Sequence, residues 1–124
     1  MKKRILIAED EVTLGELLRD FLDDHGYEVL LTKDGEECLS AYDKFKPDLL
    51  VLDIIMPKKD GFEVLEELSK KNGNSKQPPV IILTNLNNLD DIEKALNLGA
   101  RTYLVKTDHQ MDDIIKKIKE ALGE

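Results

Sequence analysis

Five short runs rich in Ile, Leu and Val alternate along this chain with longer segments of helical period, and that alternation limits the fold more than any other feature. The runs are Ile5 to Ala8, Glu28 to Leu31, Leu49 to Leu52, Val80 to Leu83 and Thr102 to Val105. Their length and content predict buried strands. Between and after them, apolar residues recur three and four apart, as in Leu14, Leu17, Leu18, Phe21 and Leu22, or Met111, Ile114, Ile115, Ile118 and Leu122. These predict five amphipathic helices. Strict alternation with short connections requires parallel strands joined by right-handed crossovers, so the expected class is α/β, a doubly wound sheet with helices on both faces.

Local signals refine this expectation. Thr13 with Glu16, Asp34 with Glu37, and Thr107 with Gln110 each place a capping oxygen three residues before a Glu or Gln, which predicts helix starts. Gly26 and Gly99 fall where helix ends call for a left-handed residue. The polar, breaker-rich stretch Ser69 to Pro79 is expected to be a surface loop rather than a domain boundary. At 124 residues the chain is expected to be a single domain spanning 1–124.

Composition then excludes several function classes. No apolar run exceeds four residues, so neither a membrane span nor a secretory signal is expected, and the predicted location is cytoplasmic. Cys38 is the sole cysteine, which leaves no internal disulfide or cysteine cage; it is read as a small core residue. With 18 basic against 26 acidic residues the net charge is −8, and the Lys pairs at 58–59, 70–71 and 116–117 are dispersed. Direct nucleic-acid contact is therefore not expected.

In an open parallel sheet, ligands bind beyond the carboxyl ends of the strands. Four strands deliver polar residues to that edge: Glu9, Asp10 and Glu11 after the first, Asp53 after the third, Thr84 and Asn85 after the fourth, Lys106 and Thr107 after the fifth. Two carboxylates ~4 Å apart repel by ~4 kcal/mol at an effective dielectric near 20. A divalent cation resolves this, since three carboxylates, one dication and the Lys106 ammonium are together neutral. A donor set of oxygens alone favours Mg²⁺, with Mn²⁺ as the alternative. A metal-neutralised Asp53 beside a hydroxyl and an ammonium is suited to attack a phosphoryl donor. His25 and His109 stand at no ligand spacing and are assigned no chemistry.

These residues bring a family into view. Ile5 to Glu11, Leu52-Asp53-Ile54-Ile55-Met56-Pro57-Lys58-Lys59-Asp60-Gly61, Leu83-Thr84, Gly99-Ala100 and Tyr103-Leu104-Val105-Lys106 together resemble the receiver domain of two-component response regulators. The resemblance covers essentially the whole chain and implies one receiver domain over 1–124 with no output domain. It implies a flavodoxin-like, five-stranded sheet of order 2-1-3-4-5, with ligands expected near the point where the strand order reverses. It further implies that Asp53 is the phosphoacceptor, that Glu9 and Asp10 bind the metal with Asp53 and the Ile55 backbone carbonyl, that Lys106 contacts the phosphoryl group, and that Thr84 and Tyr103 form a switch pair. The implied partners are a histidine kinase or histidine phosphotransfer protein as donor and a downstream protein as target. Such a module signals rather than turns over substrate.

Three departures accompany the resemblance. Thr107 follows Lys106 where the family often has a cis Pro, and a cis bond before Thr is several times more costly, so a differently shaped loop is expected. Asn85 stands where a small residue often follows the switch Thr and is expected to narrow access to Asp53. Glu9 replaces a commoner Asp with the same charge. Competing readings are a haloacid-dehalogenase-like Mg²⁺-dependent phosphatase, which usually wants a second acid where Ile55 stands; a flavodoxin-like carrier, whose flavin phosphate Glu9, Asp10 and Glu11 would repel; and a degenerate receiver that binds a partner without phosphorylation. A dinucleotide fold fails for want of Gly-x-Gly-x-x-Gly.

Overall fold

The computed structural model describes residues 2–72 and 77–124. Strands β1 (Arg4–Ala8), β2 (Glu28–Thr32), β3 (Leu49–Leu52), β4 (Val80–Thr84) and β5 (Thr102–Val105) alternate with helices α1 (Val12–Asp24), α2 (Gly35–Phe45), α3 (Gly61–Asn72), α4 (Leu89–Asn97) and α5 (Met111–Ala121). All pairings are parallel, and the sheet order is β2-β1-β3-β4-β5.

Strand alternation splits the core into two layers. Leu6, Ala8, Leu50, Leu52, Val80 and Ile82 face Cys38, Tyr42, Val64, Leu65, Leu68 and Ala95 of α2, α3 and α4. On the other face Ile5, Ile7, Leu49, Val51, Ile81 and Leu83 meet Leu18 and Leu22 of α1 and Ile114, Ile115 and Ile118 of α5. Two-sided burial is why the central strands read as near-continuous apolar runs rather than alternating ones. Cys38 is fully buried, as its reading as a core residue requires.

The expected helix boundaries are partly corrected. Asp34 caps α2 by accepting from the Glu37 amide, and Gly26 and Gly99 adopt φ of 90° and 109°. Thr13, however, lies inside α1, whose cap position is Glu11 with no side-chain bond; the Glu11 amide donates to Glu9, which tightens the loop and starts the helix earlier. Thr107 lies in a 3₁₀ turn, Lys106–Asp108, that brings Lys106 back over the sheet edge, so α5 starts only after Gln110. The Lys106–Thr107 bond is trans.

Two further caps, at positions where the sequence reading marks none, start α3 and α4. Asp60 accepts from the Glu63 amide at 2.9 Å, and Asn88 accepts from the Asp91 amide at 2.9 Å. The expected loop from Ser69 is also shorter. Ser69 to Asn72 complete α3, held by Lys71 pairing with Asp43 and by Asn72 reaching the Tyr42 hydroxyl, while 73–76 lie outside the described residues. The dispersed lysines are largely neutralised locally: Lys58 pairs with Asp34, Lys59 with Glu67 and Lys117 with Glu120. Among the described residues no helix is long and apolar enough to cross a membrane.

Candidate functional site

Because all five strands run the same way, whatever follows each of them emerges at one edge. Asp53 follows β3, and its amide donates to the Ala8 carbonyl at 3.0 Å, carrying the β1–β3 ladder one step further. The Glu9 amide donates likewise to the Thr32 carbonyl at 2.9 Å. These bonds fix both acids at the sheet edge, where Glu9 is 3% and Asp53 4% exposed. Asp10, one residue on, is exposed. Carboxylate oxygens of Glu9, Asp10 and Asp53 lie within 4.8 Å of one another, a spacing that suits one small hard cation.

Lys106 reaches into this group from the 3₁₀ turn. Its Nζ lies 2.8 Å from Asp53 Oδ2, 2.9 Å from Glu9 Oε1 and 3.3 Å from Glu11 Oε2. Glu11 is the contributor that sequence reasoning brings to the edge without a role. Its carboxylate shares Lys106, and its amide donates to Glu9 Oε2 at 3.0 Å. The available signal is its place as the third acid of the run Glu9-Asp10-Glu11.

The electrostatics follow from this crowding. Burial pushes the Glu9 carboxyl up from 4.5 to about 7; the hydrogen bonds from Lys106 and the Glu11 amide work in the other direction, and the Asp53 charge adds to the rise. At Lys106 burial opposes the ammonium, but the bonds to Asp53 and Glu9 outweigh it and hold the group above its ordinary value. Lys106 is thus a fixed cation, and the acids around it outnumber it. That excess of acids over cations fits a divalent cation held by Glu9, Asp10 and Asp53.

The remaining expected residues flank the cluster. Thr84 ends β4 fully buried, with its Oγ1 3.5 Å from the Leu86 amide. Ile55 is 57% exposed, and its amide donates to Asp53 Oδ1 at 3.3 Å, which orients that carboxylate. Asn85 is exposed. Tyr103 does not join the acids: half-buried on β5, it donates its hydroxyl to the Leu86 carbonyl at 2.8 Å and so ties β5 to the loop before α4. Gly61 closes the back of the site. Its amide donates to the Ile54 carbonyl at 2.8 Å, and a β-carbon there would lie 2.5 Å from the Asp53 carbonyl oxygen.

The two histidines stay apart from this chemistry, His25 bonding the Phe21 carbonyl and His109 standing 3.6 Å from Asp113. A cleft of about 420 Å³ opens elsewhere, lined by Lys3, Pro47, Asp48 and Leu122 among others, and contains none of the clustered groups. Convergence of ionisable groups, rather than a cleft, marks the candidate site.

The family model described as the response regulator receiver domain matches residues 5–119. The probable transcriptional regulator ycf27 of Cyanophora paradoxa is 42% identical over 105 residues, 85% of this chain and 42% of that protein. The transcriptional regulatory protein RprY of Bacteroides fragilis is 39% identical over 121 residues, 98% of this chain and 50% of its own length. The chain therefore spans about half the length of the curated relatives it matches. Among solved structures, a CheY-like response regulator receiver domain protein from Methanospirillum hungatei superposes with a TM-score of 0.89 at 30% identity, covering 99% of this chain and 95% of the other.

Proposed function

The chain belongs to the response regulator receiver domain family, and from that premise we propose that Asp53 accepts a phosphoryl group from a histidine kinase or histidine phosphotransfer protein, in a Mg²⁺-dependent reaction that resets a protein-binding surface. The observation that carries this reading is the placement of Lys106 Nζ 2.8 Å from Asp53 Oδ2 within a cluster of acids of which Glu9 and Asp53 are buried. A salt bridge serving stability alone needs one carboxylate, whereas this ammonium is surrounded by three.

An Asp53 carboxylate oxygen forms the new bond to phosphorus as the bond to the donor nitrogen breaks and the imidazole leaves. The Ile55 amide bonds Asp53 Oδ1, which helps fix the carboxylate and leaves Oδ2, beside Lys106, to face the donor. Lys106 offers its protons to the phosphoryl oxygens as Asp53 loses its charge, and the Thr84 hydroxyl donates to another of them. Mg²⁺, or Mn²⁺ in its place, would be held by Glu9, Asp10, Asp53 and the Ile55 carbonyl, and supplies Lewis-acid neutralisation of the phosphoryl charge. Glu9 and Asp10 would otherwise repel the incoming anion.

Incubation with acetyl phosphate and Mg²⁺, followed by intact-mass measurement, tests the reading. One added phosphoryl group is expected, abolished by chelation and by Asp53→Ala. Labelling that survives Asp53→Ala would remove the assignment, and phosphate release over many turnovers would point instead to a phosphatase.

A further inference from the structure

The loop that carries Asp53 into α3 is held from one side by Gly61. Its other side rests on the first residue of α2. A β-carbon at position 35 would lie 2.2 Å from the Lys59 carbonyl oxygen, 2.8 Å from the Lys59 carbonyl carbon and 2.8 Å from the Lys59 β-carbon. The neighbours at the first two distances are backbone atoms, which cannot rotate away as a side-chain end does. The α2 terminus and this loop therefore touch through their main chains, and only glycine allows it.

Neighbouring contacts make the junction stiff. Asp34 caps α2 through the Glu37 amide at 2.7 Å and stands 3.8 Å from Lys58 Nζ. Lys58 takes a left-handed φ of 68°, a conformation that a non-glycine residue holds only where its surroundings impose it. The Lys59 amide donates to the Pro57 carbonyl at 2.8 Å, and Ile54 and Met56 are buried. With Pro57 rigid and both of those side chains anchored, a push on Lys59 is transmitted along the loop towards Ile55 and Asp53 rather than absorbed.

From these contacts we infer that Gly35 is a positioning residue for the metal and phosphoacceptor site: by seating α2 against the Lys59 carbonyl, it sets where the Ile55 backbone and the Asp53 carboxylate stand. The inference rests on the reading of the site given above. It also makes α2 sensitive to what happens at Asp53, because the same contact transmits displacement in both directions.

The test uses Mg²⁺ alone and acetyl phosphate with Mg²⁺, on the parent, Gly35→Ala and Gly99→Ala. Gly99 has φ of 109° with nothing within 4 Å of an added β-carbon, so its substitution strains the backbone without touching the loop. Gly35→Ala is expected to weaken Mg²⁺ binding and slow labelling at saturating Mg²⁺ by about ten-fold each. Gly99→Ala is expected to lower stability while leaving both unchanged. Losses that simply follow stability in the two variants, or normal Mg²⁺ affinity in Gly35→Ala, would overturn the inference.

If Gly35→Ala does not fold, Mg²⁺ titration of the parent followed by amide chemical shifts decides. Gly35 and Glu37 should move together with Lys59, and a response of Lys59 without them would refute the coupling. Failure of the parent to take a phosphoryl group would count against the proposed function, while the Mg²⁺ measurements would still judge Gly35.

Discussion

At Cys38 burial dominates the chemistry of a side chain. Desolvation pushes its thiol up from 9.0 to about 12, with a hydrogen bond to Thr32 acting in the opposite sense and the Asp34 and Glu37 charges adding a little. The folded value lies above the unfolded one, so this contribution to stability is complete below about pH 9 and is lost as the pH climbs towards 12. At pH 8 a thiol reagent should therefore label only unfolded chains, at a rate that rises with urea alongside loss of helical signal; immediate stoichiometric labelling of the folded protein would contradict it. Ile55 poses the opposite case, an aliphatic side chain exposed beside Asp53. Ile55 and Leu86 stand two residues beyond Asp53 and Thr84, and water that hydrolyses a phosphoryl group on Asp53 is expected to pass them. Neither residue here has a side chain that donates or accepts a hydrogen bond. Ile55→Asn is expected to shorten the phosphoryl lifetime several-fold at equal Mg²⁺, read as loss of the added mass with time, and an unchanged or longer lifetime would remove the kinetic role.

Among the elements, α4 is the one most loosely held. Its single buried residue is Ala95, against three or four in α1, α3 and α5. Three attachments compensate: the Asn88 cap, the Lys94 ammonium 4.3 Å from the centre of the Phe62 ring, and the Tyr103 hydroxyl on the Leu86 carbonyl. Loss of a cap costs about 1 kcal/mol. In a helix with so little buried surface that cost is felt locally, so Asn88→Ala should speed hydrogen exchange of α4 amides about five-fold and leave β1 and β3 protected. Equal acceleration throughout the sheet would show that α4 unfolds only with the whole domain.

For the whole molecule, the site and α4 are joined through the ends of β4 and β5. Thr84 is buried at the end of β4, and two residues later Leu86 receives the Tyr103 hydroxyl from the neighbouring strand. If Thr84 is drawn to phosphoryl oxygens, the segment carrying the Leu86 carbonyl must shift with it, and the local charge event becomes a displacement of α4 and β5. Beryllofluoride with Mg²⁺ is expected to move amide shifts in α4, β5 and the start of α5 as well as around Asp53. Tyr103→Phe should reduce the distant changes and spare those at Asp53. Shifts confined to the pocket would sever the link.

The layout of the sheet and the edge that bears the chemistry are legible in the one-dimensional pattern, because burial on both faces writes apolar runs into the strands and parallel direction sends every following residue to one edge. That is why Glu9, Asp10, Asp53, Thr84 and Lys106 can be placed at one edge without coordinates. Helix starts at Asp34, Asp60 and Asn88 obey local capping chemistry, which a sequence can display. Thr13 and Thr107 carry the same local signal and do not cap, since the loops before α1 and α5 are shaped by Glu9 accepting from the Glu11 amide and by Lys106 turning back to Asp53. Tertiary structure alone decides that Glu11 shares Lys106, that Tyr103 bonds the Leu86 carbonyl, and that Gly35 meets Lys59. Each joins residues distant in the chain through one or two atoms, and so leaves no periodicity for a sequence to display.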